Sequence, residues 1–303
     1  MRIAILAARP GWHTDELCRA LAARGHEGRV LPYEGLAAHL GGERGQGEGE
    51  GGGARPGFTS GGVELARCDA VLARIIPAGS LEQIIFRVDA LHALEEQGIP
   101  VINSPRTIER TVDKLWTTAI LAQAGLAVPE TLVCESLDDA IAAFHALGDV
   151  IVKPLFGSMG LGMVRVTTEE MAFRVFRTLE TIRGVYYVQR AIDHDGCDVR
   201  VFVVGGRVVS AIERSAAGWK TNLARGGRAR ATTLSDTREA LALRAARAVG
   251  ADYAGVDLLP ARDGTDYVVE VNGIPGWRGL QEATSIDVAA TIVEHLLGRL
   301  TPP

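Results

Sequence analysis

Gly255-Val-Asp-Leu-Leu-Pro-Ala-Arg-Asp-Gly-Thr-Asp-Tyr-Val-Val-Glu-Val-Asn272 is the stretch on which the reading of this chain turns. Two apolar runs flank Asp263-Gly264, a strong two-residue turn signal, so the stretch predicts a β-hairpin. With that turn, paired residues have numbers adding to 527, which sets Asp257 directly opposite Glu270. Side chains alternate along a strand, so Asn272 shares a face with Glu270, while Val269 and Val271 point to the other side. Two acids and an amide then converge on one face of an otherwise apolar hairpin. Like charges directly opposite destabilise a sheet, and a cation offsets them. An all-oxygen set suits Mg²⁺, which takes few protein ligands and completes its shell with phosphate oxygens and water. The bland alternative is a solvent-facing hairpin that carries acids by chance.

Upstream, Gly157-Ser-Met-Gly-Leu-Gly162 has the glycine spacing of a P-loop, but Met163-Val164 stand where Lys-[Ser/Thr] is required, so that motif is excluded. The glycines run between two predicted strands, and a hairpin loop with bare backbone amides can fold over phosphates. Lys153 ends the strand just before it, in Val150-Ile-Val-Lys-Pro154. Beside such a loop its ammonium is a point-charge donor to phosphate; alone, it is a lysine that snorkels to solvent. Asp198 and Arg200 alternate with Val199 and Val201 and so face one way, and Arg214 follows on the next strand. Lys220, Asn222, Arg225, Arg228 and Arg230 crowd a Gly-rich loop, which is either simply solvated or a source of charge stabilisation for phosphoryl transfer.

Around these motifs the pattern is mixed α/β. Residues 2–7 predict a strand and 15–24 a helix; strands at 30–31, 70–76 and 100–103 and a helix over 81–97 complete a small open parallel sheet in residues 1–104. No G-x-G-x-x-G follows the first strand, so a dinucleotide site is not indicated. Eleven of the 22 residues from Gly41 to Gly62 are Gly, which predicts a disordered surface insertion without chemistry. One helix over 107–123 carries Lys114; strands at 132–133, 149–154, 163–166 and 185–189 with helices at 136–147 and 169–183 make a central unit, 105–190. The last unit, 191–303, holds strands at 198–204 and 208–213, a helix at 235–249, the hairpin and a closing helix at 284–298.

Composition narrows the function. With 47% hydrophobic and 23% charged residues the chain reads as a soluble globular protein, and its net charge of −5 argues against a dedicated nucleic-acid binder. No apolar run is long enough to span a membrane, and residues 3–8 are too short for a signal peptide, so cytoplasm is the expected location. The four Cys lie far apart with no C-x-x-C pair, against a disulfide framework or a zinc site. Only three of the 32 basic residues are Lys: Lys114, Lys153 and Lys220. Against such a drift to Arg, the survivors mark places where a compact ammonium fits and a planar guanidinium does not.

In order, Asp113-Lys114, Val152-Lys153 with the glycine segment, Asp198-Val-Arg200, Asn222-Leu-Ala-Arg-Gly-Gly227, Asp257 and Glu270-Val-Asn272 resemble the successive motifs of the ATP-grasp superfamily. The run Glu-Val-Asn-Gly-Ile-Pro-Gly-Trp277 and the Asn222 stretch resemble the RimK-type α-L-glutamate ligases in particular. The match covers the chain apart from the glycine insertion. The resemblance implies a pre-ATP-grasp domain followed by two α+β domains that sandwich ATP. It implies that Lys114 and Lys153 bind phosphates and that Gly157, Ser158, Gly160 and Gly162 cover them. Gln189, Arg190 and Ala191 would be the adenine hinge and Asp198 a ribose contact. Asp257, Glu270 and Asn272 would hold Mg²⁺ (or Mn²⁺). Arg200, Arg214, Lys220, Asn222 and Arg225 would surround the transferring phosphoryl group and the substrate carboxylate.

Two departures stand out. Where the family often has an acidic then an aromatic residue after Gln189, this chain has Arg190-Ala191; an adenine amino group cannot donate to Arg, so either backbone carbonyls read the base or nucleotide preference has changed. Trp277 stands where many relatives carry a smaller residue, which predicts a reshaped acceptor pocket. The implied reaction phosphorylates a carboxylate with ATP and lets an amine, by resemblance L-glutamate, attack the acyl phosphate. No side-chain nucleophile is needed, in keeping with the absence of a Ser-His-Asp or Cys-His pattern. The acceptor would be a small coenzyme such as tetrahydromethanopterin, a protein carboxyl terminus or a carrier protein, and the chain either monomeric or a homo-oligomer. Rival readings keep the fold with D-alanine-D-alanine-like or glutathione-like substrates, or make the chain a nucleotide-binding scaffold without catalysis.

Overall fold

The computed structural model describes residues 1–41, 56–157, 160–216 and 228–301. It opens with β1 (Arg2–Ala7), α1 (Trp12–Ala22) and β2 (Glu27–Pro32), followed by β3 (Leu36–His39), β4 (Gly57–Ser60) and β5 (Val63–Glu64). Then come β6 (Ala70–Ala73), α2 (Leu81–Glu96) and β7 (Val101–Ile102). β2-β1-β6-β7 form the expected parallel sheet. β3-β4-β5 form a separate antiparallel sheet. This corrects the reading of 41–62 as a disordered insertion at its end: Gly57–Ser60 is a strand with Phe58 and Ser60 buried, and Gly61-Gly62, both at positive φ, make the tight turn into β5. Residues 42–55 lie outside the described residues.

The helix expected over 107–123 is two helices, α3 (Pro105–Val112) and α4 (Lys114–Gln123). Asp113 leaves helical geometry between them (φ −89°, ψ 109°), and its Oδ1 accepts the Trp116 N–H at 3.1 Å as the N-cap of α4. Lys114 thereby becomes the first residue of a new helix.

The central unit contains β8 (Thr131–Cys134), α5 (Leu137–Leu147), β9 (Val150–Lys153), β10 (Val164–Val166), α6 (Glu169–Thr181) and β11 (Tyr186–Arg190). Its antiparallel sheet has the order β10-β9-β11-β8, and α5 and α6 pack with it around Phe144, Val152, Phe176 and Val188. The last unit adds β12 (Cys197–Val204), β13 (Arg207–Ser215), β14 (Arg228–Ala231), α7 (Asp236–Val249), β15 (Tyr253–Pro260), β16 (Asp266–Asn272), α8 (Arg278–Thr284) and α9 (Val288–Leu300). The order of its antiparallel sheet is β14-β13-β12-β15-β16. β14 and α8 had no counterpart in the sequence pattern.

Alternation along β12 divides this sheet's two faces. Val199, Val201 and Val203 join Val256, Leu258, Val268 and Val271 in a core under α7. On the other face, Phe202 and Val204 share a core with Trp277, α9 and α1 of the N-terminal unit. Asp198 and Arg200 occupy the remainder of that face. The apolar half anchors the sheet while the polar half is held facing a cleft.

Two β-bulges fix the register. The hairpin loop is one residue longer than expected: Ala261 N–H donates to Thr265 O at 2.9 Å, Gly264 adopts φ 87°, and Pro260 pairs with Asp266. A shift between Asp257 and Leu258 restores the pairing, so Asp257 still lies opposite Glu270. The inserted residue is Val269. It lines the cleft, and Val268 takes its place in the core, which corrects the expectation that Val269 points away. After the Gly205-Gly206 turn a second shift, between Phe202 and Val203, puts Asp198 opposite Arg214.

Candidate active site

The register assembles a ladder of charge across four neighbouring strands. Arg214 of β13 faces Asp198 of β12, Arg200 of β12 faces Asp257 of β15, and Asp257 faces Glu270 of β16. Arg214 grips Asp198 with Nε and Nη2 at 2.6 and 2.7 Å; Arg200 grips Asp257 in the same two-pronged way at 2.7 and 2.7 Å. Arg214 Nη2 also reaches Asp257 Oδ2 at 3.0 Å, joining the pairs into one buried network. Burial pushes the Asp257 carboxyl up, but Arg200 and Arg214 outweigh it and hold the group down at about 2. The same carboxylates outweigh burial at Arg214 and raise its pKa.

Among the described residues Glu270 makes no such pair. It lines the cleft opposite two ammonium groups, and its charge acts on both. Lys153, buried at the end of β9, donates to Gln189 Oε1 at 2.5 Å and lies 5.9 Å from the Tyr187 ring centre. Burial lowers its pKa to about 8, with Glu270 opposing that shift and Lys114 adding to it. Lys114, at the start of α4, donates to Gly157 O at 2.8 Å, which ties the glycine loop to the cleft. Burial lowers its pKa too, against Glu270 and Asp113. Gly157, Gly160 and Gly162 all adopt positive φ, and a Cβ on Gly162 would lie 3.3 Å from Pro154 Cγ, so this turn between β9 and β10 takes its shape only with glycine.

Several expected roles look different in the structure. The Gln189 side chain does not lie free at the hinge: its carbonyl oxygen holds Lys153 while its amide donates to Thr131 Oγ1 and Tyr187 Oη at 2.9 and 3.2 Å. Arg190 is among the residues lining the cleft, and its guanidinium is bonded to Glu130 Oε2 at 2.6 Å and to Leu147 O at 3.1 Å. Ala191 N–H is bonded to Asp149 O at 2.9 Å. Trp277 is 1% exposed, in the core beside Phe202 and His13. Asn272 lies next to the hairpin acids, its Oδ1 accepting the Ile274 N–H at 3.2 Å. Ser158, Lys220, Asn222 and Arg225 lie outside the described residues.

The sequence reading missed Tyr187, Thr118 and Thr131. Tyr187 is two positions before Gln189 on one strand and Thr118 one helical turn after Lys114, so period alone puts each on its neighbour's face. Thr118 Oγ1 and Tyr187 Oη are 2.8 Å apart.

Two carboxylates suffice for Mg²⁺ when phosphates supply further oxygens. Among the described residues no group of three or more His, Cys, Asp or Glu converges, as a metal held by protein alone would need. Glu270 and the remaining lone pairs of Asp257 fit a divalent ion shared with a nucleotide, and the lysines opposite fit its phosphates.

Residues 111–296 match the family model described as a RimK-like ATP-grasp domain. A protein of Methanosarcina acetivorans named tetrahydromethanopterin:α-L-glutamate ligase is 36% identical over 268 residues, 79% of this chain and 83% of that one. The Methanocaldococcus jannaschii protein of the same name is 35% identical over 70% of this chain and 75% of that one. The ATP-grasp ligase PsnB, in a structure with a variant of its minimal precursor, Mg and ADP, superposes with a TM-score of 0.73 at 24% identity, covering 99% of this chain and 98% of that one. Among the described residues no helix is long and apolar enough to cross a membrane.

Proposed function

The chain belongs to the RimK-like ATP-grasp family and is an ATP-dependent ligase, and we propose that it joins L-glutamate to the carboxylate of a tetrahydromethanopterin-type coenzyme. The observation that carries the reading is one cleft with two lysines on one wall and, on the other, Glu270 beside an Arg-backed Asp257. Lys153 and Lys114 bind the β- and γ-phosphates of ATP, covered by Gly157 to Gly162. The Gln189–Ala191 backbone reads the adenine, and Asp198 orients Arg214. Asp257, Glu270 and Asn272 would hold Mg²⁺, which when bound draws charge off the phosphate oxygens. Arg200 and Arg214 stabilise charge on the transferring phosphoryl group.

The acceptor carboxylate attacks the γ-phosphorus and ADP leaves. The glutamate amine then attacks the acyl carbon, phosphate leaves, and the amine proton passes to solvent. Lys220, Asn222 and Arg225 complete the shell around the phosphoryl group. The coenzyme rests on the name of the 36%-identical relative. A phosphate-release assay with ATP, Mg²⁺, L-glutamate and tetrahydromethanopterin tests it. Release that needs both substrates, with a glutamyl product by mass spectrometry, is expected. No release with that acceptor but release with a peptide or another amino acid would replace the substrate assignment.

A further inference from the structure

Three arginines are buried among the described residues: Arg74, Arg87 and Arg214. Arg214 has Asp198 and Asp257. The other two have no described carboxylate within salt-bridge reach. Arg74, 3% exposed, donates from Nη1 to Tyr253 Oη at 3.2 Å and from Nη2 to Pro275 O at 3.1 Å, and its guanidinium lies over the Trp277 ring at 4.6 Å. Arg87, 4% exposed, donates to Pro77 O at 2.7 Å. All these partners are neutral. A buried cation normally has a counter-charge, because leaving water is costly otherwise. The Trp277 ring under Arg74 also keeps its indole N–H buried without a partner.

These cations stand where an open parallel sheet takes ligands. In the order β2-β1-β6-β7 the chain leaves β1 towards one side and β6 lies on the other, so the switch point is between the carboxyl ends of β1 and β6. Arg74 is the residue immediately after β6, and the loop it starts leads into the N-terminus of α2, which carries Arg87. Both guanidiniums act on the Tyr33 hydroxyl, which donates to Arg74 O at 3.3 Å, so they share one corner of the unit. That corner adjoins the charge ladder: a Cβ on Gly255 would lie 3.2 Å from Pro275 Cβ and 3.5 Å from Arg200 Nε, and Pro275 is the residue Arg74 holds.

We propose that Arg74, supported by Arg87, binds an oxyanion of the acceptor substrate distinct from the carboxyl that reacts, so that the acceptor enters over the N-terminal sheet with its reactive end towards Arg200. This rests on the ligase reading above for the word acceptor, and on the arginines alone for the oxyanion. It makes the acceptor a molecule with at least two negative groups.

The test uses the full chain. Calorimetric titration of the AMPPNP-saturated protein with glutarate, and separately with inorganic phosphate, tells a carboxylate from a phosphate group. Binding of at least one probe is expected, weakened about tenfold or more in Arg74→Met and largely kept in Arg74→Lys. In turnover with tetrahydromethanopterin, Arg74→Met raises the acceptor KM about tenfold, with kcat and the KM values for ATP and glutamate within about threefold. Neither probe binding, or binding equal in Arg74→Met, overturns the subsite even if the wild type is an active ligase. A rise in the glutamate KM instead, or a uniform loss that Arg74→Lys does not rescue, overturns it as well and leaves Arg74 a structural strut. Conversely, probe binding that depends on Arg74 in a protein that makes no glutamyl product sinks the glutamate and coenzyme assignment and keeps the oxyanion site.

Discussion

On the C-terminal sheet, Arg214, Asp198, Arg200 and Asp257 satisfy one another in two bidentate pairs with a shared contact. In the central unit facing them, Lys153 and Lys114 rest on an amide oxygen and a backbone carbonyl, with Glu270 as the opposing charge that acts on both. The paired wall is rigid before any ligand arrives, so its dipoles are aimed without reorganisation at the moment of reaction. The lysine wall is short of negative charge, and burial has already lowered both ammonium pKa values. A polyphosphate supplies what that wall lacks. On the proposed function, the difference means that one wall holds the reacting geometry and the other receives the nucleotide.

The largest effect comes from breaking the paired wall. Asp257→Ala leaves Arg200 and Arg214 without a shared partner, which is expected to cost about 3–5 kcal/mol in chemical denaturation as well as turnover. Glu270→Gln, one strand away, is expected to abolish turnover at a stability cost below about 1 kcal/mol, since no described hydrogen bond is lost. Equal destabilisation by the two substitutions would erase the distinction between the walls.

On the lysine wall, Lys153→Arg is expected to lower kcat/KM for ATP by about 10²-fold, because a planar guanidinium does not fit the place where one ammonium meets Gln189. The wall also titrates. With the Lys153 pKa at about 8, the free enzyme loses this charge as pH rises through 8, so kcat/KM for ATP falls on the alkaline side. Gln189→Glu puts a carboxylate beside the ammonium, raises its pKa and moves that limb to higher pH. A pH–rate profile unmoved by Gln189→Glu, or a limb near 8 that persists in Lys153→Arg, would assign the titration elsewhere.

Much of this contrast was legible in the sequence, and the illegible part has a common cause. Residue types, strand alternation and motif order placed Lys153, Asp198, Arg200, Asp257 and Glu270 on their elements. Pairing between strands was another matter. Continued evenly from Gly205-Gly206, β12 and β13 would set Asp198 against Glu213, acid against acid; one bulge replaces Glu213 with Arg214. The pairing of Asp257 with Glu270 was anticipated from a turn one residue too short, and it holds because the bulge at Val269 cancels the difference. Bulges have no signature in apolar alternation until the facing strand is known. Likewise the break at Asp113 is a cap within an unbroken helical pattern, and the burial of Trp277 depends on His13 and Arg74, more than 200 residues away in the chain.

The smallest effect concerns the expected hinge. A guanidinium after Gln189 leaves two readings, base recognition by backbone carbonyls or a changed nucleotide preference, and in the structure Arg190 directs its Nη2 to Glu130 and its Nη1 to Leu147 O. Its side chain and that of Glu130 are both well exposed, and such pairs contribute about 0–1 kcal/mol. The backbone there is tied independently of the side chain: Arg190 N–H is bonded to Glu130 O at 2.8 Å and Ala191 N–H to Asp149 O at 2.9 Å by the strand ladder and its continuation. Removing the side chain therefore leaves these backbone bonds in place. Arg190→Ala is expected to change the KM for ATP less than about threefold and to leave the ratio of ATP to GTP use unaltered, measured by competition in the phosphate-release assay. A tenfold swing in that ratio would show that the guanidinium swings inward to read the base, and would move Arg190 from the supporting frame to the nucleotide site.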